Sequence, residues 1–161
     1  MLAFLTWFEE SALGAAVRGA GVWAYGVVNL VHILGVATLF GSVLVLDLRL
    51  VGLWRQVPLS LIARPTVPLA AAGFCIAVVS GLCLLSTNAT EYAGNPFLLI
   101  KFAAIALGLL NIVVLSRFDA WRQRDVREPD AKASSQLAIA GGVSLASWLI
   151  AVSAGRLIGY W

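Results

Sequence analysis

The only histidine in the chain, His32, stands inside Val22–Leu46, a 25-residue stretch with no charged side chain. A charge at such a depth in a bilayer costs about 3 kcal/mol on insertion scales, so an ionisable side chain there usually has a buried task. A neutral imidazole can ligate a haem iron or hydrogen-bond across helices, and both readings are open. His32 lies ten residues into its run, roughly 15 Å below the run's start at 1.5 Å per residue. Two cations lie in later apolar runs: Lys101, four residues after Phe97, and Arg156, four residues before Tyr160. Each falls about one helical turn below the same face, where it could neutralise a propionate of haem b or snorkel to water. Asn29, one turn before His32, could orient a ring or a substrate, and Gly35, one turn after it, would leave a gap beside the imidazole.

His32, Lys101, Arg156, Asn29 and Gly35 are therefore the candidate cofactor-binding residues, with His32 the candidate metal ligand. No catalytic residue is assigned. The expected cofactor is haem b, serving electron transfer or porphyrin handling, with quinone as a natural lipid-soluble partner. One histidine gives one axial ligand, so a bis-histidine haem requires a homodimer or a partner subunit in a larger membrane complex.

Two other classes of function compete. Copper or small-solute transport would draw on Cys75 and Cys83, since thiols suit soft metals. Yet no Cys-x-x-Cys or methionine-rich pattern accompanies them, and cysteine also serves as a small buried hydrophobe. A non-catalytic membrane subunit docking a larger partner would need only well-packed helices.

The elements that must hold these residues are spanning helices. Of 161 residues, 61% are hydrophobic and 12% charged, against about 25% charged in a soluble domain. A hydrocarbon core of about 30 Å needs about 20 apolar residues per helix. Four stretches meet that length, at approximately 22–46, 66–86, 97–118 and 137–160. Short connections predict one domain over residues 1–161: an all-α, integral membrane, four-helix antiparallel bundle. Residues 2–18 read as a short amphipathic interfacial helix, with Leu5, Trp7, Phe8 and Leu13 on or near one side, broken from the first span by Gly19 and Gly21. Glu9 and Glu10 follow the opening apolar residues, which does not fit a secretory signal.

The charge distribution orients the bundle. Seven basic residues lie in the loops 47–65 and 119–136, among them Arg49, Arg55, Arg64, Arg127 and Lys132, and Arg117 adjoins the second loop. Only Arg18 lies outside a span on the other side. This asymmetry predicts cytoplasmic loops and outside termini in a bacterial inner (plasma) membrane. It also accounts for the net charge of +3 without nucleic acid. Pro58, Pro65 and Pro68 place the first loop's end just before the second span, and Asp47 with Arg49 suggests a local ion pair or a contact for the other basic loop. Gly73, Ala77 and Gly81, and Gly155 with Gly159, recur every four residues, a spacing that lets helix backbones approach closely in lipid. Asn111 suits a helix–helix hydrogen bond. Trp23, Tyr25, Tyr160 and Trp161 suit an aromatic belt.

The runs Val31-His-Ile-Leu-Gly, Phe40-Gly-Ser, Leu46-Asp-Leu-Arg-Leu-Val-Gly, Phe97-Leu-Leu-Ile-Lys and Ser147-Trp-Leu-Ile-Ala-Val-Ser-Ala-Gly-Arg-Leu-Ile resemble an uncharacterised family of bacterial four-helix membrane proteins over nearly the whole chain. That resemblance implies fold and topology and no activity. More distantly, the early histidine with its glycine-containing apolar run and the later Leu-Leu-x-Lys-like stretch are similar to the copper resistance protein D family. His32, Gly41, Arg49 and Lys101 are similar to the bacterial oxygen-independent protoporphyrinogen oxidase, a haem-associated four-helix protein. That likeness would give His32 and Lys101 functional roles. Asp47-Leu48 stands here where the enzyme family has a proline before the arginine.

Overall fold

The computed structural model describes residues 2–126 and 130–161, and the expectation for Arg127 lies outside the described residues. Two short helices, α1 (Leu2–Glu9) and α2 (Ala12–Gly19), precede α3 (Gly21–Val51). Then come α4 (Leu59–Thr87), a 3₁₀ turn at Ala89–Tyr92, α5 (Pro96–Arg117), the single turn α6 (Asp119–Arg122) and α7 (Ala131–Leu157). The four long helices are each long and apolar enough to cross a membrane, so this is a multi-pass membrane protein of all-α, bundled architecture.

The spans are longer than their uncharged cores because tertiary packing extends them. The first runs on to Val51, where Gly52 at φ 123 closes it and the amides of Gly52 and Leu53 both reach the Leu48 carbonyl. A residue with a Cβ is strained in that left-handed conformation, whereas glycine is not. The second span begins at Leu59 rather than Thr66, running through Pro65 and Pro68. Leu59 and Ala63 are each only 1% exposed. Leu59 joins Leu50, Leu115, Leu137 and Ala140 in a core at the arginine-rich end, and this burial holds the turns the prolines weaken. The Thr66 hydroxyl donates to the Ile62 carbonyl within that stretch.

Long seams run between α3 and α4, between α5 and α7, and between α3 and α7. The consecutive helices α4 and α5 share no such seam, although short connections suggested that every consecutive pair would pack. In lipid the closest approaches follow the smallest residues. A Cβ on Gly73 would stand 2.5 Å from the Leu39 amide nitrogen, and one on Gly35 would stand 2.8 Å from the Ala77 nitrogen. Gly141 admits Leu50 and the Asp47 carbonyl of α3 in the same way. Gly159, by contrast, meets nothing, so it is not a packing position.

A second core lies mid-bundle, where Trp148 of α7 packs with Leu39 and Val43 of α3 and edge-on to Phe74 of α4. The Trp148 indole also lies on Gly108 of α5, so all four spans meet at this residue. The Asn111 side-chain amide donates to the Ala140 carbonyl at 2.9 Å, the interhelical bond expected of it.

The N-terminal region is two helices rather than one. The Ser11 hydroxyl accepts from the Gly14 amide and starts α2 afresh after Glu10. Leu5 is buried, while Trp7 and Leu13 are exposed, so these residues do not share one buried side. The segment is tied to the bundle by polar bonds. Glu9 Oε2 accepts from the Thr90 amide and hydroxyl, and the Arg18 guanidinium donates to the Ser86 and Thr87 carbonyls at the end of α4.

Candidate functional site

Between the mid-bundle core and the end carrying the termini, packing loosens. Along α3 the inward stripe continues as Ala24, Val28 and His32, and all three are only half-buried, as is Asn29. The next inward position, Gly35, is buried. A half-buried inward stripe above a closed core is a cleft.

Each of the four spans brings one element to this cleft. From α3 comes the His32 imidazole, whose Nδ1 lies 3.1 Å from Ser80 Oγ of α4. The Ser80 hydroxyl is itself committed as a donor to the Ile76 carbonyl one turn back. A hydroxyl has one proton; with it on the Ile76 carbonyl, Ser80 Oγ is left to accept from His32, the arrangement in which Nδ1 carries the hydrogen. Nε2 is then the nitrogen with the lone pair. The Ala77 carbonyl is a second acceptor near the ring. Gly81 makes the arrangement possible: a Cβ there would stand 3.0 Å from Cε1 and 3.4 Å from Nδ1 of His32.

Lys101 of α5 lies over Gly155 of α7. Its Nζ would be 3.6 Å from a Cβ at that position, so the missing side chain is the seat of the lysine. The half-buried ammonium has no ion pair or hydrogen bond among the described residues, and it lies within electrostatic reach of the imidazole.

The other expected site residues are placed elsewhere. Arg156 is exposed, stacks over the Tyr160 ring at 4.7 Å and donates to its hydroxyl, so it serves the bundle's rim. Gly35 opens no gap beside the imidazole, because Ile76 and the Ala77 backbone fill that space. Asn29 shares the inward stripe of His32, with no hydrogen-bond partner among the described residues. Cys75 and Cys83 line a groove of about 440 Å³ between α3 and α4, along with valines, Ile76 and Ser80, the serine beside His32. Among the described residues, no cluster of three or more His, Cys, Asp or Glu side chains is placed to hold a metal ion.

Ser80 and Gly81 are the residues sequence reading missed. A serine deep in an apolar span, followed by glycine, was the available signal. Nothing within one helix's spacing says that it meets a histidine 48 positions away.

Asp47 also departs from expectation. It forms no ion pair with Arg49, whose guanidinium instead donates to the Val57 and Arg55 carbonyls and closes the turn after α3. Asp47 is 3% exposed and faces Ser144 of α7.

In comparison with known proteins, residues 4–161 match a family described as Family of unknown function (DUF6644). No curated protein and no solved structure matches the chain. The distant likenesses to copper resistance protein D and to protoporphyrinogen oxidase therefore gain nothing from the comparison.

Proposed function

The chain belongs to this family of unknown function, and since membership assigns no activity, we propose from the site alone that the protein is a haem-b-binding membrane protein serving electron transfer or porphyrin handling. His32 Nε2 would hold the iron, and Lys101 would meet a carboxylate of the group. The observation that carries the reading is the bond from His32 Nδ1 to Ser80 Oγ. A ligating histidine characteristically donates its other ring N–H to a fixed acceptor, which sets ring orientation and raises the basicity of the ligating nitrogen. The bound haem would supply one-electron chemistry. What this chain supplies is a pre-aimed imidazole, an apolar cleft and a lysine without a counter-ion.

One histidine per chain supplies one ligand, so any second would come from water, a second copy or another subunit. The loop-charge asymmetry supports an orientation with the arginine-rich end in the cytoplasm and the His32 region in the outer half of a bacterial inner membrane. An exchangeable quinone is the natural electron partner in that setting. Copper transport is the weaker reading, because the groove lined by the thiols touches the His32 site only through Ser80 and Val28 and, among the described residues, brings no further metal-ligating side chain to it.

The test is the visible absorption spectrum of the detergent-purified protein from haem-replete cells, oxidised and dithionite-reduced, beside His32→Ala. A Soret band with reduced α and β bands, lost or shifted in the variant, supports the proposal. A colourless wild-type protein that also fails to take up added haemin sinks it.

A further inference from the structure

The turn after α3 is built around two arginines. Gly52 ends the helix at φ 123, and Trp54 holds φ 52, a left-handed conformation that strains a bulky residue. Arg49, only 8% exposed, ties this reversal together. Its Nε donates to the Val57 carbonyl at 2.8 Å and its Nη2 to the Arg55 carbonyl at 3.4 Å. The Arg55 side chain folds back over Gly52. A Cβ at that position would stand 2.8 Å from Arg55 Nε and 2.9 Å from its Nη2, so the glycine that ends the helix also seats the guanidinium.

Both arginines line one cleft of about 220 Å³, together with Ser134, Leu50, Leu59 and Leu137. The three leucines belong to the core at this end, so the inner wall is apolar, while Arg55 stands exposed at the rim. Leu59 is the first residue of α4 and Ser134 lies in the first turn of α7, which adds the positive ends of two helix dipoles. The neighbouring carboxylates are turned to other partners. Asp130 caps α7 and accepts from the Ala133 amide, and Asp47 faces Ser144. Other cations at this end are engaged as well: Arg64 pairs with Asp125, and Arg124 lies over the Trp121 ring. The Arg55 guanidinium has no hydrogen bond or ion pair among the described residues.

We propose that this cleft binds a phosphate group, held by the Arg55 guanidinium at the rim and favoured by the positive field of Arg49 and the two helix starts. The planar guanidinium fork matches phosphate oxygens two at a time. The cleft is smaller than the roughly 300–1,000 Å³ that encloses a whole organic ligand, so it suits a head group. Phosphate has two sources at this place. One is an anionic lipid, with its glycerol and first methylenes on the leucine wall, and the other is free phosphate. Basic pockets between spanning helices on the cytoplasmic side hold anionic lipid head groups, and the loop charges support that orientation. The site lies at the opposite end of the bundle from His32 and does not depend on haem.

The experiment is native mass spectrometry of the full chain, titrated with phosphatidylglycerol in detergent and separately with inorganic phosphate, beside Arg55→Gln and Arg117→Gln. Arg117 is exposed at the same end and lies outside the cleft, so its replacement removes the same charge without touching the site. The expected result is a one-to-one adduct in wild type and Arg117→Gln that weakens about tenfold or more in Arg55→Gln. An adduct with phosphatidylglycerol that inorganic phosphate does not displace identifies the lipid as the source, and one that inorganic phosphate forms or displaces identifies the free ion. Equal binding in Arg55→Gln and Arg117→Gln, or no adduct with either phosphate source, overturns the proposal. Thermal unfolding checks that Arg55→Gln keeps its fold. Should it not, Arg55→Lys, which keeps the charge and loses the fork, carries the test, and an affinity equal to wild type then overturns the proposal.

Discussion

Ser80 Oγ stands 3.1 Å from Nδ1 of His32. With its hydroxyl hydrogen on the Ile76 carbonyl, the serine oxygen is placed to receive Nδ1–H, the arrangement that leaves Nε2 its lone pair. A serine that looks like a neutral passenger in an apolar span thereby defines the chemical face of the only imidazole in the chain.

If that bond orients a ligating ring, Ser80→Ala should weaken haem retention by about 10–100-fold, the range typical for loss of a second partner of a metal-bound histidine. Gly81→Leu should be worse, because its side chain would occupy the place of the ring edge. Haemin titrations of the two purified variants against wild type measure both effects.

The two cations should separate cleanly. Lys101→Gln removes the ammonium seated on Gly155 and should reduce affinity for a carboxylate-bearing ligand. Arg156→Gln breaks only the contact with Tyr160 and should leave affinity unchanged. Equal losses in both variants would mean that Arg156 turns inwards when ligand binds.

Packing at the α3–α4 seam makes a stability prediction. Gly73→Ala and Gly35→Ala each force a methyl against backbone of the facing helix and should cost about 1–3 kcal/mol or more. Gly159→Ala meets nothing and should be neutral, although it shares the four-residue spacing with Gly155. Thermal unfolding in one detergent, all three side by side, is the comparison.

Much of this architecture was legible in the sequence, and the exceptions have physical reasons. Uncharged runs of spanning length are a property of one segment, so the four helices were readable, as was the helix–helix bond of Asn111. Gly35 and Gly73 were visible as small residues, yet which helix each would meet was not, and Gly35 was misread as a gap beside the imidazole. Pro65 and Pro68 pointed to a loop, but burial of Leu59 and Ala63 against another helix carried α4 through them. Asp47 looked like a boundary residue because it ends an apolar run. Its burial depends on Gly141, 94 positions later, letting α7 come close.

The docking of the N-terminal segment should depend on acid. Hydrogen bonds from the Thr90 backbone amide and side chain hold the Glu9 carboxyl below its ordinary value of 4.5, with the nearby Arg18 charge adding to them. The folded carboxyl binds its proton less tightly than the unfolded one, so the contact is at full strength above about pH 4.5 and fades as pH falls through the lowered value. Hydrogen exchange at the Thr90 amide should accelerate on acidification below that point, relative to amides in α5. Glu9→Gln should exchange faster and show no such dependence on pH, whereas a wild-type amide no better protected than that of Glu9→Gln at neutral pH would argue against Glu9 as the tether.

His32 offers the most direct single measurement because it is alone. Protein labelled with ¹⁵N only in histidine, in nanodiscs and free of haem, gives one pair of imidazole nitrogen resonances. The account predicts a protonated, pyrrole-type Nδ1 and a bare, pyridine-type Nε2, the latter lost or strongly displaced when haemin is added. A protonated Nε2, or a pair that haemin leaves untouched, would contradict it.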